Sequence, residues 1–202
     1  MNIIIHPPHN EWSALLQRPA MDHSMLEAAV LEVLNNVKQN GDKALVEFTQ
    51  RFDGVLLKNI KVSDVEIAAA EQELTTELKA AIAQAKENIE RFHAAQVQPV
   101  VKVETMPGVQ CWRKSIGIEK VGLYIPGGSA PLFSTVLMLG IPAVLAGCRE
   151  IILCTPPGKD GNIHPAVLYA AKVAGITQVY KAGGAQAIAA MAYGTETVPA
   201  VF

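Results

Sequence analysis

The chain has 202 residues, 50% of them hydrophobic, and a formal charge of −2 at pH 7; a sequence of this length and apolar content buries a real core in one large or two small domains. Lys and Arg mixed among Asp and Glu give no field for gathering polyanions, which argues against nucleic acid and anionic membrane and favours small molecules. Gly140, Pro142 and Gly147 cut the apolar stretches short of the roughly 20 residues a membrane helix needs, and MNIIIHPPHNEW has none of the parts of a signal peptide.

In chain order, Ser24 and Glu27 have capping-box spacing, followed by Leu26, Val30, Leu31, Leu34 and Val37 at helical spacing until Gly41 supplies a stop. A second helix runs from Asp42 to about Phe52, presenting Leu45, Val46 and Phe48, and Asp53-Gly54 turns the chain. Lys61 and Val62 close a short strand-like run, and Ser63 with Glu66 repeats the capping-box pattern. Beyond a break near Thr75, Leu78, Ala81, Ile82, Ala85, Ile89 and Phe92 draw an apolar stripe along a helix to about Gln96. Pro99 opens the strand-like stretch VVKVETMPGVQCWRKSIG, with a hairpin turn expected at Pro107-Gly108.

The pattern changes at Ile118. A strand from Ile118 to Ile125, a glycine-rich turn, an apolar helix from about Leu132 to Ala146 and a strand from Glu150 to Cys154 come first. A helix from Pro165 to Ala174, a strand from Gln178 to Tyr180, a second glycine turn and a helix from Ala185 follow. The expected fold is therefore α/β: an N-terminal helical region with a short hairpin, residues 1–117, and a Rossmann-like βαβαβα parallel sheet unit, residues 118–202. The strands are almost wholly apolar, as strands covered on both faces are.

Ligands of such sheets bind beyond the carboxyl ends of the strands, where the turns IPGGSAP and KAGGAQA both fall. Gly127 and Gly128 permit close backbone approach, and a helix start just beyond offers N–H groups to a phosphate; alternatively, these glycines only make tight turns and packing contacts. Neither turn has the G-x-G-x-x-G spacing, and the second strand ends in Cys154, Thr155 and Pro156 without an acid for a ribose hydroxyl. Any nucleotide needs another grip. Tyr124 packing on a ring or ribose and Gln186 donating from a helix mouth are candidates, set against a core tyrosine and an ordinary first-turn glutamine.

Few residues suggest chemistry. His6 and His9 have ligand-like spacing but no third ligand at metal-site spacing. His23 precedes a helix cap, His93 sits near a helix end with a favourable dipole role and His164 starts a helix beside Pro165, so structural or solvated roles explain each. Cys154 is the best-placed thiol for a nucleophile, yet it has no neighbouring cation or base. Cys111, Cys148 and Cys154 are odd in number and lack CxxC spacing, which suits reduced core thiols and a cytoplasmic location.

The run VGLYIPGGSAPLFSTVLML, then PAVLAGC, IILCTPP and GGAQAIAAMAYGTETVP, closely resembles histidinol dehydrogenase, as do NVKQNGDKALVEFTQRFDG and ENIERFHAAQ upstream. The resemblance implies oxidation of L-histidinol to L-histidine through a bound aldehyde, two NAD reduced per turnover, zinc, an intertwined homodimer and an atypical Rossmann-like nucleotide region. By the same resemblance, Tyr124 and Gln186 look like the family's NAD-contacting residues. The family's further NAD-contacting Asn, zinc ligands and Glu–His acid/base pair belong to later segments. The expectation is thus an N-terminal portion holding part of the NAD site, inactive alone, with an exposed sheet edge or apolar patch. Two rivals are a self-contained nucleotide-binding or oligomerisation module and an aldehyde-oxidising enzyme using Cys154.

Overall fold

The computed structural model describes residues 3–18, 24–128 and 130–201, with Ser24 and Met25 described in their backbone only. The capping role expected of Ser24, the position of His23 and the side chain of Ser129 lie outside the described residues.

A short helix, α1 (Trp12–Leu15), precedes the long helix α2 (Ser24–Phe48). At Gly41 the backbone leaves the helical region, with φ 52° and ψ −129°, so α2 is two helical pieces joined at a kink. Glycine fills this left-handed position because it has no Cβ to clash there. The buried stripe of α2 is Val33, Val37, Ala44, Leu45 and Phe48; Leu26 and Leu31, expected in the core, are exposed. The covered side of α2 packs chiefly against the last helix and shares its cluster with the sheet residues Ile152, Cys154 and Tyr180. A π-helical turn, Thr49–Asp53, ends at Gly54 in the left-handed conformation.

Helix α3 (Asp64–Gln72) begins with a full capping box: the Ser63 hydroxyl accepts from the Glu66 N–H, and the Glu66 carboxylate accepts from the Ser63 N–H. Thr75 caps α4 (Thr76–Ala94) by accepting from the Leu78 N–H at 3.2 Å. The hairpin β1 (Lys102–Met106) and β2 (Val109–Trp112) is antiparallel, turns at Pro107-Gly108 and is exposed along both strands. Cys111 is therefore an exposed thiol rather than a core one.

The second half alternates as expected: β3 (Lys120–Tyr124), α5 (Phe133–Leu145), β4 (Glu150–Thr155), α6 (Pro165–Val173), β5 (Gln178–Lys181) and α7 (Gly184–Tyr193). The three strands are parallel in the order β3-β4-β5, with Tyr124 beside Cys154 and Cys154 beside Tyr180. Side chains alternate between faces. Leu123, Leu153 and Val179 join one cluster with α3, α4, α5 and α6, while Ile152, Cys154 and Tyr180 join another with α2 and α7. Helices from the first half of the chain thus help cover both sheet faces. The run expected at Lys61 and Val62 pairs with the open edge of β5, through an antiparallel bridge from Lys61 to Tyr180. Among the described residues, no helix is long and apolar enough to cross a membrane.

Candidate functional site

The strand register brings three loops side by side at the carboxyl end of the sheet, and Pro156 is the wedge between them. A Cβ on Gly127 would stand 2.5 Å from Pro156 Cγ, and one on Gly183 would stand 2.6 Å from Pro156 Cβ. Both glycines are accordingly demanded by packing. Gly128 differs, because a Cβ there would meet nothing within 4 Å. Of Gly127 and Gly128, the second faces open space.

A cleft of about 430 Å³ lies on one side of these loops, lined by Phe52, Asp53, Tyr124, Pro126, Gly127, Gly128, Lys159 and Gly184, with Pro156, Pro157 and Gly158. A second cleft of about 550 Å³ lies on the other side, between the same glycine and proline loops and residues of α3 and α6. Glu66, Glu73, Asp160, Asn162 and His164 give it its polar lining.

The structure brings the two sequence-predicted residues together. Tyr124 is half-buried at the end of β3, and its hydroxyl accepts a hydrogen bond from the Gly184 N–H at 3.0 Å. Gln186, in the first turn of α7, is 1% exposed, and its Oε1 has no hydrogen-bond partner. That oxygen lies directly behind Gly184, 2.7 Å from where a Cβ would be. Gly184, at φ +59°, leaves room for that buried oxygen, which the Cβ of any other residue would crowd. A buried amide oxygen without a donor is costly, about 1–3 kcal/mol, and calls for an explanation.

Other candidates take structural roles. His164 caps α6, its Nδ1 accepting from the Ala166 N–H at 3.1 Å. His93 lies in the last turn of α4, 3.0 Å from Gln96 Oε1. His9 packs on the Trp12 ring at 4.6 Å between centroids. Cys154 is fully buried, and burial pushes its thiol up to about 12, which leaves essentially no thiolate for nucleophilic chemistry. Among the described residues, no three His, Cys, Asp or Glu side chains gather as a metal site would require.

Three polar features were missed by pattern reading. Lys181 ends β5 with its side chain 8% exposed and paired with the Glu66 carboxylate. Partial burial raises the Glu66 carboxyl, but hydrogen bonds from Lys181 and Ser63 outweigh it and hold the group below its ordinary range. Asp53 lines the smaller cleft beside Lys159, whose ammonium donates to the Asp53 backbone carbonyl at 2.6 Å. Asp42, just past the kink, accepts from the Thr195 hydroxyl at 2.6 Å, the Thr197 N–H at 3.2 Å and the Thr197 hydroxyl. The available signal was a charged residue closing an apolar strand in QVYK; the other two contacts join segments more than 100 residues apart.

Comparison with known proteins fits this geometry into a family. The family model described as histidinol dehydrogenase matches residues 16–202. A histidinol dehydrogenase from Bacteroides thetaiotaomicron is 57% identical over 202 residues, 100% of this chain and 47% of that protein. One from Yersinia pestis is 55% identical over 189 residues, 93% of this chain and 42% of that protein. A crystal structure of histidinol dehydrogenase from Elizabethkingia anophelis superposes with a TM-score of 0.89 at 53% identity, covering 96% of this chain and 45% of that one. The chain thus spans a little under half the length of these relatives.

Proposed function

This chain belongs to the histidinol dehydrogenase family, and from that premise we propose that it supplies part of the nucleotide site of an enzyme of histidine biosynthesis. The proposed reaction is oxidation of L-histidinol to L-histidine through histidinal, in two hydride transfers that reduce two NAD. One observation supports the role of this chain most: Tyr124 and Gln186, from elements far apart in sequence, meet around Gly184 at the carboxyl end of the sheet.

The residues present fit a dinucleotide. Tyr124 offers an aromatic ring, Gly128 an open backbone, Lys159 an ammonium, and Gln186 an acceptor still without a donor. NAD, when bound, takes up the hydride on its nicotinamide ring, so the task of the protein is to bind and orient it. A hydroxyl both accepts and donates, so Tyr124, already accepting from Gly184, has its proton to offer a ribose or phosphate oxygen. The same hydrogen bond fixes the tyrosine against the second glycine turn, and a preset side chain loses less entropy when a ligand arrives.

Zinc finds no such fit, because the described residues gather no metal-ligating cluster. The proposal therefore leaves the metal and the acid/base pair to segments outside this chain. A homodimer and a cytoplasmic location belong to the same proposal.

The test is histidinol-dependent NADH formation by the folded 202-residue chain with zinc added and its mass verified. The proposal expects no turnover from the chain alone and turnover from a full-length family member under the same conditions. Sustained turnover by the chain would place the reaction centre among these residues and overturn the assignment.

A further inference from the structure

A strand-end acid for the ribose is missing from the sequence pattern, since β4 closes with Cys154-Thr155 and runs into Pro156. The fold brings an acid to the cleft from elsewhere. The π-helical turn Thr49–Asp53 carries Asp53 into the lining of the smaller cleft, which Tyr124 and Gly128 also line. Its Oδ2 is buried and has no hydrogen-bond partner. A carboxylate only accepts, and the nearby Lys159 ammonium donates to the backbone carbonyl of Asp53 at 2.6 Å rather than to this oxygen. Burial accordingly raises this carboxyl above its ordinary range, an effect that Lys159 only partly offsets. The residue beside it, Phe52, also lines the cleft and is 54% exposed, with its ring stacked on Phe48 at 5.6 Å between centroids, which puts an apolar side chain next to an unsatisfied acceptor. A base attached to a hydroxylated sugar answers both features.

We propose that Asp53 is the residue that reads the adenosine ribose of the dinucleotide, accepting its 2′-hydroxyl and rejecting a 2′-phosphate by charge. The inference rests on the nucleotide reading of this cleft and adds to it the choice between NAD and NADP. An acidic partner for the 2′-hydroxyl favours the unphosphorylated cofactor, while a 2′-phosphate placed against the same carboxylate meets like charge. Phe52, its ring stacked on Phe48 and beside the Arg51 guanidinium, gives the adenine an apolar wall, and Lys159, held at the rim by the Asp53 carbonyl, faces the phosphates.

The test is calorimetric titration of the folded chain with NAD, NADP and the 2′-deoxyadenosine analogue of NAD, for the wild type and Asp53→Asn. The wild type should prefer NAD to the deoxy analogue by roughly ten- to a hundredfold, the worth of a hydrogen bond to a charged group. Asp53→Asn should narrow the preference over both analogues by at least about fivefold, since a neutral amide accepts more weakly and repels no phosphate. Equal wild-type affinity for NAD and its deoxy analogue, or an unchanged preference in Asp53→Asn, overturns the role of Asp53 while leaving the nucleotide site standing. A folded wild type that binds neither NAD nor NADP overturns both. The deoxy comparison needs no variant, so a poorly folding Asp53→Asn would not blunt it.

Discussion

Replacing Gly127 with alanine should drive a methyl group into Pro156, and a second substitution should relieve it. The new Cβ would lie 2.5 Å from Pro156 Cγ, but 3.6 Å from Pro156 Cβ and 3.7 Å from Pro156 Cδ. The first distance is impossible without movement, whereas the others are ordinary contacts. Gly127 is not among the described glycines with positive φ, so the clash is steric and not a backbone conflict. Overpacking of this kind costs about 1–3 kcal/mol, offset by about 0.4–1 kcal/mol because alanine narrows the unfolded ensemble. Gly127→Ala should therefore destabilise the chain by about 1–2 kcal/mol in urea denaturation followed by far-ultraviolet circular dichroism. In a Pro156→Ala background Cγ and Cδ are gone, so the same change should be neutral or slightly stabilising. The double-mutant cycle should yield a coupling of about 1–3 kcal/mol. Gly183→Ala is the control: its Cβ would lie 2.6 Å from Pro156 Cβ, an atom alanine keeps, so Pro156→Ala should not rescue it. Equal costs for Gly127→Ala in both backgrounds would refute the wedge.

Cys111, exposed on the hairpin, should react with a thiol reagent at mildly alkaline pH long before Cys154, which should label only on unfolding; comparable rates in the folded chain would contradict the buried placement. Glu66→Gln removes the counter-charge of a nearly buried ammonium. Its cost should fall at or below the low end of the ~3–5 kcal/mol seen for buried pairs, because Glu66 itself is partly exposed. The pH dependence has a definite sign. The folded Glu66 carboxyl titrates below the ordinary 4.5, so its contribution is full above that pH and is lost as pH falls through the folded value. The acid limb of the stability profile should therefore be shallower in Glu66→Gln, and an unchanged limb would count against the pair. Asp42→Ala deletes three acceptor contacts that tie the α2 kink to Thr195 and Thr197, and should cost about 2 kcal/mol or more in the same denaturation assay.

The second half of the chain was legible because its signals are local. An apolar strand, a glycine turn and a helix start recur in order, and β3, β4 and β5 fall within a few residues of the expected spans. The capping box at Ser63, the break near Thr75 and the hairpin turn at Pro107-Gly108 were readable for the same reason. The burial of α2 was not: spacing alone puts Leu26 and Leu31 on an apolar face, but which residues meet α7 depends on where the helix lies across the sheet. Tyr124 and Gln186 were found through family motifs, and only the fold shows them on either side of Gly184. Asp53 was readable merely as a turn residue, because its place in the cleft depends on packing between segments about 70 residues apart or more. Lys181 likewise gains meaning only with Glu66, which lies on α3.

The most direct test of the nucleotide site is amide NMR of the isotope-labelled chain titrated with NAD. The account predicts concentration-dependent shifts at Gly128, Gly184 and Gln186, with the exposed hairpin Lys102–Trp112 unmoved. Shifts confined to other parts of the fold, or none from a folded sample at millimolar NAD, would contradict it.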